Sequence, residues 1–181
     1  NNKGVMVIKP VYIKCESFSE GLALIKKREN DKKKWGYIDY NGSLKVYPEY
    51  DGGQSFSEGF AGVYKGKQWG FINKRGIVTV HFKFDEVRPF SNGLSAVQSD
   101  GLWGFINYFG EYVISPKYDD VGNFSEGLMK VIIEWNYGFI DSKGHVIIKP
   151  KYKYAQDFSE GLALVSDLQT KKWGFINKKG I

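Results

Sequence analysis

Apolar residues along this chain come in short runs broken by glycine, asparagine, aspartate and proline. Nowhere do they hold a 3.6-residue period, so the pattern predicts strands and no helix. Three kinds of run recur in a fixed order. The first opens after a glycine, as in Gly21-Leu22-Ala23-Leu24-Ile25. Its copies put a large apolar residue first (Leu22, Phe60, Leu94, Leu128, Leu162) and a β-branched residue fourth (Ile25, Val63, Val97, Val131, Val165). The second run is aromatic-Gly-aromatic-Ile, at residues 35–38, 69–72, 103–106, 137–140 and 173–176, with Tyr137 replacing tryptophan in the fourth copy. Strand geometry puts its two aromatics on one face and its isoleucine on the other, and the glycine leaves room for a second backbone or a ring. The third run alternates Met6/Ile8, Leu44/Val46, Val78/Val80, Tyr112/Ile114 and Val146/Ile148 with variable neighbours such as Lys45 and Thr79, the period of a half-buried strand.

The residues between the runs recur as well. Asp or Asn, two variable residues and Gly separate the second run from the third (39–42, 73–76, 107–110, 141–144, 177–180), the signature of a type I turn closed by a glycine at positive φ. Proline (Pro10, Pro48, Pro116, Pro150, with Phe82 in one copy) is expected to end the third strand, because it cannot donate to a ladder. An aromatic follows two residues on (Tyr12, Tyr50, Phe84, Tyr118, Tyr152), then a small or β-branched residue (Cys15, Gly53, Val87, Val121, Ala155). Phe-Ser-Glu-Gly comes next, at 18–21, 56–59, 90–93 (with Asn92 for Glu), 124–127 and 158–161. The aromatic-Gly motifs start at 35, 69, 103, 137 and 173, intervals of 34, 34, 34 and 36. The first four are each followed by the next Phe after 21 residues, whereas Phe to the following motif takes 17, 13, 13, 13 and 15. All length variation therefore falls in one connection, expected to be a surface loop.

A 34-residue piece cannot bury four aromatics against itself, so the units are expected to stack on one another and share a core. The predicted fold is all-β, a tandem array of five three-stranded antiparallel β-meander repeats forming an open curved solenoid or superhelix. It runs as a single continuous array over 1–181, with units at 5–42, 43–76, 77–110, 111–144 and 145–180. The alternative is a closed five-bladed propeller-like ring in which residues 173–176 pair with residues 5–8. The open form is preferred because a four-stranded propeller blade takes about 40 to 45 residues. Aromatics reach 17% of the chain, and four aromatic positions in five units account for 20 of the 30, so the excess is a consequence of the repeat. The single thiol, Cys15, is read as a small core residue without a disulfide partner. The chain opens Asn1-Asn2-Lys3-Gly4, with neither an initiator methionine nor an apolar signal region, and reads as a mature product or an excised piece.

Lys-Trp-Gly-aromatic-Ile (34–38, 172–176), Asp/Asn-x-x-Gly, Pro-Lys-Tyr (116–118, 150–152) and Phe-Ser-Glu-Gly-Leu-Ala (18–23, 158–163) recur in one order and at one spacing over essentially the whole chain. In this the sequence resembles the bacterial WG repeat, also called the KWG repeat. Tyr137, Phe82, Asn92 and a basic insert at 26–34 depart from the pattern and leave the fold inference intact. The resemblance implies tandem β-hairpin arrays, often in large bacterial proteins of the envelope or exterior, and brings no catalytic residues with it.

Charge and chemistry narrow the function. With 26 basic and 20 acidic residues the net charge is +6, mildly cationic. The two histidines, His81 and His145, occupy different places in the unit, and no glycine-rich phosphate loop is present, so no catalytic, metal-ligating or cofactor-binding residue is assigned and no cofactor is expected. Glu20, Glu58, Glu126 and Glu160 are read as turn residues, because Asn92 fills the same position without acid-base capacity. The variable connection supplies the candidates for partner binding: Lys26, Lys27, Arg28, Lys32, Lys33 and Lys34 in its first copy, Lys65 and Lys67 in the second, Lys171 and Lys172 in the fifth. Ser99-Asp100 and Glu134-Trp135 interrupt this stripe, so nucleic acid, which wants a continuous cationic groove, is not expected. Trp135 is the one tryptophan out of register, and it is the best single anchor for a partner. The expected function is a noncatalytic repeat scaffold, not an enzyme, mediating protein–protein interaction in the bacterial envelope or extracellular space, with the cytoplasm as the alternative. A glycan or cell-wall binding module is the second reading, and it requires a surface cluster of aromatics that includes Trp135, Tyr108 and Phe109. No apolar run approaches the roughly 18 residues of a spanning helix, so no transmembrane segment is expected.

Overall fold

The computed structural model describes residues 6–29 and 31–181, Glu29 as backbone alone. Val5, the first residue of the first expected unit and of the pairing expected for a closed ring, and Asn30 of the basic insert lie outside the described residues. The described residues form eighteen strands and no helix, and the chain divides into two compact units, Asn1–Phe90 and Ser91–Ile181.

In the first unit β1 (Lys14–Cys15), β2 (Ala23–Glu29), β3 (Lys32–Ile38) and β4 (Leu44–Tyr50) make one antiparallel meander. A second follows as β5 (Gly52–Gly53), β6 (Phe60–Lys65), β7 (Gln68–Asn73) and β8 (Val78–Phe84), and β9 (Glu86–Val87) is a further two-residue strand. In the second unit β10 (Ser95–Ser99), β11 (Leu102–Ile106) and β12 (Tyr112–Tyr118) form a meander. There β13 (Asp120–Ser125), β14 (Leu128–Ile133), β15 (Asn136–Asp141), β16 (Val146–Ala155), β17 (Leu162–Asp167) and β18 (Trp173–Asn177) continue in order as a six-stranded sheet.

Three sequence expectations about the strands need correction. The repeat is not a three-stranded meander, because the small residues after the aromatic add a short strand that pairs with the first long one, as in Cys15↔Ile25 and Gly53↔Val63. Two residues carry no alternation, which is why the pattern missed them. Proline does not end the third strand either. Trp35 pairs with Tyr50 and Tyr37 with Val46, so β4 carries two extra residues in a bulge around Pro48, where a missing N–H costs no ladder bond. The first copy of the variable connection is no long loop: its basic insert extends the ladder through Lys27↔Lys34, Arg28↔Lys33 and Glu29↔Lys32. By contrast the Asp/Asn-x-x-Gly turns form as expected. Gly42 has φ 78°, its N–H donates to the Asp39 carbonyl at 2.9 Å, and Asp39 Oδ1 accepts from the N–H groups of Asn41 and Ser43.

Stacking follows one rule inside each unit. Leu22, Leu24, Tyr37, Val46 and Tyr50 of one sheet bury themselves against Phe56, Ala61, Val63 and Ile72 of the next. In the second unit Leu128, Phe139, Ile148 and Tyr152 of one repeat likewise meet Ala155, Phe158, Ala163, Val165 and Ile176 of the next, here along one six-stranded sheet. The two faces of a strand thus serve two neighbours, the aromatic face looking forward and the Ile face back. The tryptophan position is graded: Trp103 is buried, Trp35 and Trp69 are half-buried, and Trp173 is 60% exposed. Cys15, expected in the core, is exposed.

Candidate partner-binding surface

The surface candidates lie in the hairpins joining first to second strand, Lys67 and Trp135 at the tips and the cations of the basic insert on the strands. The pairs Lys65↔Gln68, Ser99↔Leu102 and Ile133↔Asn136 leave only two residues at each tip. Gly66-Lys67, Asp100-Gly101 and Glu134-Trp135 therefore sit at positive φ, the geometry that suits the right-handed twist of a tight hairpin. The tips are anchored from below. Asp51 Oδ2 accepts from Gly66 N–H at 3.2 Å, and Asp119 Oδ2 from Glu134 N–H at 2.6 Å. The Lys34 ammonium, and after it the Gly66 N–H, hold the Asp51 carboxyl below its ordinary range. Sequence reading missed this role, although the signal is present: Asp51, Asp85 and Asp119 each follow the aromatic Tyr50, Phe84 or Tyr118.

In the first unit the ladder gathers Lys26, Lys27, Arg28, Lys32, Lys33 and Lys34 on β2 and β3. Lys27 stands opposite Lys34 and Arg28 opposite Lys33, a placement that disfavours pairing by roughly 0.2–1 kcal/mol per pair. Some of this charge is compensated. Lys34 pairs with Asp51 and Lys65 with Glu49, while the Lys26 and Lys14 ammoniums lie 5.2 and 5.5 Å from the centre of the Trp35 ring. Lys67 occupies its tip, exposed.

In the second unit Trp135 is 78% exposed at its tip. The next residue, Asn136, joins Pro150, Lys151, Asp167, Leu168 and Gln169 around an open pocket of about 410 Å³. Asp167 Oδ1 shapes the loop beyond by accepting from the Thr170 N–H and Oγ1 at 2.7 and 2.8 Å, and Lys171 and Lys172 are exposed on that loop. Trp135, the pocket, Lys171 and Lys172 thus share one edge. Phe109, 82% exposed, lies in the β11–β12 turn. The corresponding turn of the next repeat packs Gly144 on Ile114, at the end of β15 remote from Trp135. The two exposed rings are therefore separated by the length of a strand, and no shared aromatic platform forms.

The Phe-Ser-Glu-Gly segments are tight turns with Glu20, Glu58, Asn92, Glu126 and Glu160 at φ near 51–54°. Their side chains do more than sequence reading assigned. Ser19, Ser57 and Ser125 donate from Oγ to the carbonyls of Phe56, Phe90 and Phe158 at 2.7, 2.8 and 2.5 Å. Glu20 accepts from Gly59 N–H and meets Lys74 at 3.0 Å, and Glu126 does the same with Gly161 and Lys178. Partial desolvation would raise the Glu20 carboxyl, but Lys74 and Gly59 outweigh it and leave the group below its ordinary value of 4.5. Lys178 and Gly161 lower Glu126 likewise. A carboxyl lowered on folding contributes stability that is complete above its ordinary value and is lost as pH falls through the lowered one. The melting temperature is therefore expected to fall as pH drops below about 4.5, with a shallower acid slope for Glu20→Gln combined with Glu126→Gln, read from thermal melts across that range.

Among the described residues no three His, Cys, Asp or Glu side chains gather as a metal site needs, and no helix is long and apolar enough to cross a membrane. His145 Nδ1 lies 2.9 Å from Asp141 Oδ2 within its own exposed turn.

A family model described as "WG containing repeat" matches residues 1–30, 35–69, 69–103, 103–133 and 137–167. Among curated proteins none matches. Among solved structures the chain is similar to the "Crystal structure of HIRA(644-1017)", with 6% identity, TM-score 0.36, and coverage of 96% of this chain and 57% of that one. It is also similar to the "Crystal structure of the tricorn protease", with 11% identity, TM-score 0.31, and coverage of 89% and 20%. The chain spans less than two thirds of either, and likeness at these scores carries no argument about function.

Proposed function

The chain belongs to the WG-repeat family, and on that premise we propose that it is a noncatalytic repeat scaffold, an open array, that binds a protein partner through its hairpin tips. The observation that carries this reading is Trp135. A bulky residue at φ 61°, with Glu134 before it at 49°, strains the backbone by about 1 kcal/mol where asparagine or glycine would not. The ring gains nothing from packing in return, because it is largely exposed. Other tips place Gly66 or Gly101 at one of the two positions. An exposed tryptophan held at a local cost beside an open pocket has the form of an interface anchor. The facing cations of β2 and β3 favour a partner that brings acidic side chains. The envelope or exterior of a bacterium is the proposed setting. The strand-length separation of Trp135 from Phe109 weighs against the glycan alternative.

Trp135→Gly separates binding from folding. The variant is expected to melt about 2–4 °C higher, from about 1 kcal/mol of relieved strain, while losing its partner. Cross-linking capture from native extract, run with both proteins, tests this. A partner held equally by wild type and Trp135→Gly removes Trp135 from the interface, and capture of nothing by either removes the scaffold reading.

A further inference from the structure

The hairpin of β2 and β3 differs from its counterparts in length and in charge together. Three of those close in two-residue tips just beyond Lys65↔Gln68, Ser99↔Leu102 and Ile133↔Asn136. Lys27↔Lys34 occupies the place of Lys65↔Gln68, and the ladder then runs on through Arg28↔Lys33 and Glu29↔Lys32. Two further pairs, at about 3.4 Å per residue, carry this hairpin about 7 Å past the level of the next tip. Asp51 ties the two together, since it pairs with Lys34 and accepts from the Gly66 N–H. Lys67 therefore stands beside the base of the projecting part.

Residues 26–34 hold six cations and two acids, a net +4 out of the chain's +6, and no apolar residue. Successive pairs alternate between the two faces. Arg28 and Lys33 share the face of Lys26 and Trp35, and Lys27 and Lys34 take the other. The ion pairs of the described side chains lie at the base: Lys14 with Glu16, Lys34 with Asp51 and Lys65 with Glu49. Arg28, Lys32 and Lys33 are exposed beyond them, and Lys67 is exposed at its own tip. Trp35 is half-buried beneath the Lys26 and Lys14 ammoniums, so its ring supplies no apolar anchor.

We infer that this hairpin docks the protein on an anionic lipid surface, with Arg28, Lys32 and Lys33 among the phospholipid headgroups and Lys67 behind them. Clusters of roughly four to eight basic residues bind such surfaces. The projection matches the Debye length, about 8 Å at physiological ionic strength, so these charges meet the negative surface potential ahead of the neighbouring tip. Acidic side chains of a folded partner answer only one face of a projecting hairpin, whereas fluid headgroups close around both. A protein interface is also built on a packed apolar anchor and is poor in lysine, the reverse of this composition. Headgroup phosphates stand between cations that the ladder holds face to face, an arrangement unfavourable without them. The contact is electrostatic and reversible, and it buries no segment in the hydrocarbon. Trp135 takes no part in it, so lipid docking and the partner-binding reading stand or fall separately.

Co-sedimentation with vesicles of equal parts phosphatidylcholine and phosphatidylglycerol, against pure phosphatidylcholine, tests this. Wild type is expected on the mixed vesicles alone, and it should leave them in about 0.5 M salt. Arg28→Gln, Lys32→Gln and Lys33→Gln combined should weaken binding on the order of a hundredfold, from about fivefold per cation. Lys143→Gln, Lys149→Gln and Lys179→Gln combined remove the same charge elsewhere and should leave binding within about twofold. All six residues are exposed, so both variants are expected to keep the fold, checked by circular dichroism. Wild type that ignores the mixed vesicles, binding that survives the salt, or equal binding by the two variants overturns the inference. So does retention by soluble polyglutamate without retention by vesicles, which assigns the hairpin to an acidic protein instead.

Discussion

Gly104→Ala is expected to destabilise the protein by about 3 kcal/mol or more, while Gly174→Ala, at the same place in the last repeat, leaves stability unchanged or slightly higher. A Cβ on Gly104 would lie 2.6 Å from the Ile114 carbonyl oxygen and 2.7 Å from the Pro116 nitrogen. Both are backbone atoms of β12, and the pairs Trp103↔Tyr118 and Phe105↔Ile114 hold that strand on either side of the clash. Neither atom can retreat without breaking a pair, so the strain has no soft side chain to absorb it. For a chain of this size about 3 kcal/mol corresponds to a melting temperature lower by roughly 6–12 °C. Thermal melts of the two variants, at a concentration where the chain is monomeric, provide the comparison. Equal melting temperatures would mean that the bulge around proline yields, and that the glycine is there for some other reason.

The same glycine shows where sequence reasoning reaches and where it stops. That Gly36 and its copies make room for another backbone was legible, because glycine in a strand has few other uses. That the backbone is the proline bulge of the neighbouring strand was not. Reading Pro48 alone gives a strand end, and only the pairing of Trp35 with Tyr50 across the bulge shows the strand continuing. The three long strands, the Asp39–Gly42 type of turn and the turn role of Glu20 follow from local chemistry, so the sequence carried them. Two-residue strands such as β5 and the carbonyl reached by Ser19 Oγ depend on what the adjacent repeat places opposite, which no local pattern contains. In the candidate surface Trp135 stood out because it breaks the register. The basic run at Lys26 to Lys34 looked like a loop because charge resembles solvent exposure, and the structure makes it a ladder with cations face to face.

Phe139→Ala should cost about 3–5 kcal/mol, while Phe175→Ala, the matching ring one repeat later, should stay within about 0.5 kcal/mol. Phe139 is 1% exposed and lies edge-on to Phe158, ring centres 4.8 Å apart, in the cluster it shares with Leu128, Ile148 and Val165. Removing it opens a cavity between two repeats whose backbones are fixed by the ladders of the six-stranded sheet, so the space cannot collapse cheaply. Phe175 has the same sequence neighbours, Gly174 before it and Ile176 after, but none of the described residues covers it, and it is 68% exposed. The pair therefore isolates the contribution of the adjacent repeat from that of local sequence. Urea titration of both variants as single chains measures it, and the difference between them is the stability a ring gains by being stacked rather than by being aromatic. If the two substitutions cost the same, a repeat would owe its order to its own hairpin.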